Sequence, residues 1–403
     1  MSARELLSRR RFLAGAGAGA VAATGAGVVI GNHASGTAVP LAELPAAFRG
    51  LPDRQHAWDA TLKVDEHGNP LPPRHARLLM FDVIGRPNAR YARLLEACLR
   101  RLEHSYAWGP EGLLFTAGWA PGYFEHVLGT ASPIPRAQAM SDFEDPEIDQ
   151  FHLCIHMASD NPATLAACET SLAKGVAPIL ALRQTRTGFT GAGLPAAHQR
   201  VEGIPSGDPV ARSAPLYMGF KSVFKKNMAS EDAVTIPHGE FADGTTMVVS
   251  YMTLSLEIWY RSLSYEDRVK LMYSPQTTAG DVERFTNDAE SNPGQLSEAI
   301  RDGVIGHAQT CARARRAGKP VILRRDFDTD DYGQAGLHFV SLQRTVADFV
   351  ATRNAMNQPS AQLQNPAITQ TANNGINQFI FVLRRGNYIV PSRPQRSFPL
   401  LEG

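Results

Sequence analysis

The amino-acid sequence predicts an α+β protein made of two ferredoxin-like halves, each planned around a βαββαβ order. Three observations predict this. From Leu78 to Arg183 the hydrophobic pattern changes in the order strand, helix, strand, strand, helix, strand. A Gly/Pro/Ala-rich stretch over residues 188–213 then breaks the pattern. Beyond it the same kinds of element return, although no repeat of the sequence itself is visible.

In the first half, Leu78 to Ile84 reads as a strand. Asn88 to His104 follows as a helix, because Leu94, Leu95, Cys98, Leu99 and Leu102 recur on one helical face. Gly112 to Trp119 and Phe151 to Ala158 are strands. Pro162 to Lys174 is a second helix that Asn161 can cap, and a strand near Ile179 to Arg183 completes the unit. In the second half, Thr246 to Leu254 alternates as a strand, and Ser264-Tyr265-Glu266-Asp267 opens a helix in the manner of a capping box. Gly336 to Leu342 is a further strand, with a helix over Thr345 to Asn357 packed after it. The divisions are a leader over 1–38, an arm or linker over 39–74, a first domain over 75–187, a linker over 188–213 and a second domain over 214–395.

Composition narrows the function classes. Lys plus Arg is 40 against 39 Asp plus Glu, so no basic excess suggests a nucleic-acid partner. A hydrophobic content of 43% with 8% aromatics is that of a globular protein able to bury a large core. Cys98, Cys154, Cys168 and Cys311 are scattered without a CxxC pair and read as small buried hydrophobes.

The N-terminus carries an address. Ser8-Arg9-Arg10-Arg11-Phe12-Leu13 matches the twin-arginine export pattern, and Ala14 to Ile30 follows as a weakly apolar, uncharged run. Small side chains favour a signal over a stable membrane span, with cleavage expected among the small residues from Ala34 to Ala38. The expected partner is the twin-arginine translocase, and the destination is periplasmic, cell-surface or extracellular. No stable span is expected after cleavage. That route carries folded proteins, often with a cofactor already loaded.

The most specific stretch runs from Ile305 to Arg344. His307 stands on a helical pattern, Arg324-Arg325 close the apolar run Val321-Ile322-Leu323, and the strand from Gly336 follows. Leu113 to Trp119 with Phe124, Gln150 to Ile155, Ala158 to Pro162, and Asp243 to Trp259 add further pieces in order. Together they resemble the dye-decolourising peroxidase family over roughly Arg77 to Pro391. The resemblance implies two ferredoxin-like halves closed into a dimeric α+β barrel-like fold, with one haem b per chain. It makes His307 the axial iron ligand, places Arg324 over the opposite haem face with Arg325 as the fallback, and sets Phe220 at the haem. The substrates implied are hydrogen peroxide and a bulky or aromatic reductant, and a homo-oligomer is compatible with the family.

Two departures from that family stand out. Its Gly-x-x-Asp-Gly motif aligns with Gly219-Phe220-Lys221-Ser222-Val223, so Ser222 replaces the aspartate and Val223 the last glycine. An aspartate there would move a proton between the two peroxide oxygens. A serine hydroxyl cannot act as that base near neutral pH, and such groups contribute about 10²–10⁴-fold in rate. Gly239 to Gly244 looks like the motif with one residue too many, but Asp243-Gly244 directly precedes a strand and reads as a turn. On the other haem face, an axial histidine ordinarily donates its second ring N–H to a carboxylate. From Phe349 to Leu401 there is no Asp or Glu, so that partner falls to a backbone carbonyl or to Asn357, Gln364 or Gln378.

His152, Cys154 and His156 alternate along one strand and share a face, a spacing able to hold zinc or copper. The reading preferred is a semi-polar inner face, with no metal other than haem iron. The function expected is therefore an exported haem peroxidase with a weakened distal site. The alternatives are a haem- or porphyrin-binding protein without useful turnover and a cofactor-free descendant of the fold.

Overall fold

A computed structural model describes residues 50–65, 70–191, 214–220, 228–283, 296–358 and 364–401. The leader expected over 1–38 lies outside them, as does most of the linker predicted over 188–213.

The first half begins with β1 (His75–Val83). Helix α1 (Ala89–Ser105) starts where the Asn88 side chain accepts the N–H groups of Arg90 and Tyr91. β2 (Leu114–Trp119), β3 (Leu153–Ser159), α2 (Pro162–Val176) and β4 (Leu180–Phe189) follow, and Asn161 caps α2 through the Ala163 N–H. Their spatial order, β4-β1-β3-β2 with every pair antiparallel, is the ferredoxin-like one that the order in sequence predicts. β4 runs on to Phe189, well past Arg183.

The second half contains β5 (Thr245–Leu254), α3 (Tyr265–Met272), α4 (His307–Ala312), β6 (Ile322–Arg324), β7 (Phe327–Thr329), β8 (Gly336–Gln343), α5 (Val346–Asn357) and β9 (Ile380–Val390). β6 and β7 lie end to end along β8: Arg324 opposes Ser341, Phe327 opposes His338, and the Arg325 N–H reaches Val340 O at 2.7 Å between them. Counted as one interrupted strand, they give the order β9-β5-β8-β6/β7, which repeats the plan of the first half. β9 is the long strand absent from the sequence reading. A bulge between Val382 and Arg384 shifts its alternation, and two arginines stand in its middle.

The halves close on each other into an eight-stranded antiparallel barrel, confirming the predicted fold class. Each seam is a single bridge, Trp119–Ile389 between β2 and β9 and Phe189–Asp328 between β4 and β7. Both depend on a glycine. A Cβ on Gly188 would lie 2.0 Å from Asp328 O, and one on Gly118 would lie 2.9 Å from Tyr388 Cβ. Near the first seam, the Gln55 side chain donates to Pro391 O at 2.8 Å and accepts the Ala117 N–H at 2.9 Å. The arm predicted over 39–74 is thus packed into the fold at this point, with Gln55, His56 and Trp58 buried.

Alternation sorts the side chains into three layers. Leu79, Phe81, Ile155 and Trp119 face α1 and α2 on the outside of the first half. Leu78, Met80, Cys154, Val249, Val340 and Tyr388 fill the barrel interior. Met252, Leu254 and Val382 face outward from the second half and pack with the Trp259 and Val269 side chains. Among the described residues no helix is long and apolar enough to cross a membrane.

Candidate functional site

A cavity of about 140 Å³ lies on the outer face of the second half. Met252 of β5, Phe339 of β8 and Val382 of β9 form its apolar floor, and α4 and α5 cover it with His307, Cys311 and Met356.

His307 opens α4, and its backbone is fixed from several sides. Gly306 N–H donates to Gln309 Oε1 at 3.0 Å, Gly375 N–H donates to Ile305 O at 2.8 Å, and Thr310 Oγ1 donates to His307 O at 2.7 Å. Gly375 has a φ of +54°, and a Cβ there would stand 2.8 Å from His307 Cα. Glycine supplies both the left-handed backbone and the close approach. Burial, with Arg324 and Arg353 adding to it, pushes the imidazole down to about 3, so the ring is neutral at ordinary pH. Among the described residues its one hydrogen-bond-range neighbour is Cys311 Sγ, 3.8 Å from both Nδ1 and Nε2. Burial raises that thiol above its ordinary range. Asn357 directs its Nδ2 to Met140 O at 2.9 Å, and Gln364 is exposed.

The pleat of the interrupted strand separates the two arginines. Ile322, Arg324 and Asp326 line the large cavity, whereas Leu323, Arg325 and Phe327 line only a second one of about 70 Å³, which Arg324 and Asp326 also border. Arg325 does not line the large cavity. Its Nη2 donates to Glu231 Oε1 at 2.8 Å and to His56 O at 2.7 Å, and its guanidinium stacks 4.0 Å over the Trp58 ring. Phe220 lines the large cavity and packs 5.7 Å from the rings of Tyr265 and Tyr273. Ser222 lies outside the described residues. Asp243 sits at φ +60° in the turn before β5, near Arg54.

Three functional groups were not singled out from the sequence. Asp326 lines both cavities together with Arg324; burial raises its carboxyl above the ordinary range, and Arg324 offsets part of that rise. Its only signal in sequence is the two-residue spacing from Arg324, which shares a strand face. Arg353 of α5 and Arg385 of β9 form a polar wall, joined by Glu144 at 2.7 and 3.0 Å. Burial pushes Glu144 up, but the two arginines outweigh it and hold the carboxyl below its ordinary range. No local signal marks that wall, because Glu144 reaches it from a distant loop.

Cys154 and His156 face the barrel interior, where the His156 ring lies 5.3 Å from Trp58 and 5.8 Å from Phe327. Burial pushes this imidazole down to about 3. His152 accepts the Val83 N–H at 3.1 Å instead. Among the described residues, no group of three or more His, Cys, Asp or Glu side chains is placed to hold a metal ion.

The donor set of the large cavity fits a porphyrin iron. It offers a neutral imidazole, an apolar floor and the Arg324 guanidinium in one space. Its volume is below the roughly 300–1,000 Å³ of typical ligand pockets, so a ligand of that size requires the lining to move. Four methionines in the lining, Met218, Met252, Met272 and Met356, are the unbranched side chains best able to do so.

The fold is the α+β barrel of the dye-decolourising peroxidases. The encapsulated DyP-type peroxidase from Mycobacterium smegmatis is similar over 84% of this chain and 99% of its own, with a TM-score of 0.58 at 15% identity. A dye-decolorizing protein from V. cholerae gives a TM-score of 0.54 at 15% identity, covering 82% of this chain and 97% of that one. A variant of DypB from Rhodococcus jostii RHA1, solved in complex with heme, gives 0.57 at 12% identity, covering 81% and 96%. Identities this low show the shared fold alone. No curated protein matches the chain in sequence. By its sequence the chain belongs to the family of unknown function DUF7405, whose model matches residues 73–392.

Proposed function

We propose that this chain is an exported haem protein that uses hydrogen peroxide to oxidise an aromatic or other bulky reductant. The observation that carries this reading is the shared cavity of His307 and Arg324, with the imidazole kept neutral. His307 would hold the iron. Haem bound there supplies redox chemistry with peroxide. Arg324 stabilises negative charge developing on the peroxide oxygens, and the apolar floor excludes water, which strengthens that interaction. Export by the twin-arginine route rests on Arg9 and Arg10, outside the described residues.

One observation favours haem binding with little turnover. The neighbour of the His307 ring is a thiol, and a carboxylate partner would make the ligand more basic. Protein produced with added haem should show a Soret band, which His307→Ala should abolish or strongly alter while the fold persists. Addition of hydrogen peroxide and an aromatic reductant then separates the two readings, because oxidation occurs only in the first. A wild-type protein without a Soret band would refute both.

A further inference from the structure

We propose that Asp326 is the proton acceptor of the large cavity, taking a proton from hydrogen peroxide that arrives beside Arg324. This rests on the peroxide reading above and supplies the acid–base group that Ser222 cannot. In the step, one O–H bond of peroxide breaks, its electron pair stays on oxygen, and the proton forms an O–H bond with an Asp326 carboxylate oxygen. The hydroperoxide anion is held by the Arg324 guanidinium. Atoms and electrons balance without a further reactant.

Position carries the argument. Among the described residues, Asp326 is the single carboxyl in the lining of that cavity. It stands two residues after Arg324, in the break between β6 and β7, and both line the same cavity, so the acceptor and the cation that stabilises its product are neighbours. The second cavity shares Arg324, Asp326 and Leu216 with the first, so both groups stand where the two spaces meet. Asp328, two residues further on, is fully buried and lines neither space, and Asp59 lines only the second, which leaves Asp326 as the carboxyl that a small molecule in the large cavity can reach. Burial also raises the Asp326 carboxyl, and a more basic carboxylate is a better acceptor near neutral pH.

The test compares a ligand that must lose a proton with one that carries none. Hydrogen cyanide deprotonates as it binds ferric haem proteins, like peroxide, whereas carbon monoxide binds the reduced form without proton transfer. In haem-loaded Asp326→Asn and Asp326→Ala, cyanide uptake and the reaction with peroxide should slow by about 10²-fold or more. Carbon monoxide uptake should stay within about twofold of wild type, and Asp326→Glu should recover part of the loss. Slowing of all ligands alike would overturn the assignment, because Asp326 would then only shape the entrance. Unchanged cyanide and peroxide rates alongside a normal Soret band would overturn it too, while leaving the haem reading intact. Absence of a Soret band in the wild type is the separate result that removes the reading beneath it.

Discussion

Gly375→Ala tests how the fold places His307. The residue sits at φ +54°, and a side chain in the left-handed region costs about 1–2 kcal/mol. The added Cβ would also stand 2.8 Å from His307 Cα, 2.9 Å from its N and 3.1 Å from its Cβ. These atoms belong to the His307 backbone or adjoin it, so they cannot swing aside, and overpacking of this kind costs about 1–3 kcal/mol. The sum is about 2–5 kcal/mol. Gly333→Ala is the control, at φ +72° with nothing within 4 Å of its Cβ, so it meets the backbone cost alone. Loss of unfolded-chain entropy is common to both variants. Urea unfolding followed by tryptophan fluorescence should therefore place Gly375→Ala below Gly333→Ala by about 1–3 kcal/mol. If regaining the position of His307 costs that much again on binding, haem affinity read from the Soret band falls about 5- to 150-fold. Equal stabilities for the two variants, with equal haem affinity, would refute the claim that Gly375 seats the histidine.

Other perturbations separate the remaining parts. Arg325→Met should cost about 2–4 kcal/mol in urea unfolding, below the full cost of breaking a buried pair, because it leaves the half-buried Glu231 without its cation and strips the cation from the Trp58 ring. Arg324→Met should instead slow the reaction with peroxide by about 10²–10³-fold in stopped-flow absorbance, with a smaller loss of stability than Arg325→Met. The fully buried His56 and His156 have folded-state values of about 3 against 6.5 unfolded, so the unfolded chain binds more protons between these limits. Their contribution to stability is complete above about pH 6.5 and is lost as pH falls toward 3, at up to about 1.4 kcal/mol per pH unit for each. Urea midpoints independent of pH across that window would contradict it. Changing Arg9 and Arg10 together to lysine should hold the protein in the cytoplasm by fractionation, since the receptor reads the guanidinium pair and not charge alone.

Much of the architecture was legible because apolar period and capping residues agree along the chain. α1 begins at its Asn88 cap, α2 follows Asn161, and β5 and β8 start within a residue of their predicted positions. β9 was not legible, since its bulge shifts the alternation and Arg385 is buried only because Glu144 meets it from another loop. Asp326 was hidden for a related reason. Asp326, Asp328, Asp330 and Asp331 follow one another closely in the sequence, and only the register against β8 shows which of them turns toward the cavity. His307 and Arg324 were marked by a family-like spacing, and the fold brings them to one cavity. The resemblance favours Arg324 over Arg325, and Arg324 is the one of the two that lines the large cavity.

The central place of β9 has a consequence for how the protein is made. β9 spans 380–390, yet it lies between β5 of its own half and β2 of the other, and Ile380, Val382 and Arg385 on it are part of the cavity wall. A nascent chain on the ribosome can complete the first four-stranded sheet early, because all of its strands end by Phe189. The second sheet lacks an inner strand, and the cavity lacks a side, until β9 has been made and has joined them. Deletion of β9 would therefore remove the middle of the barrel and not its edge. A molecule held in that cavity would meet a complete wall only once β9 is in place.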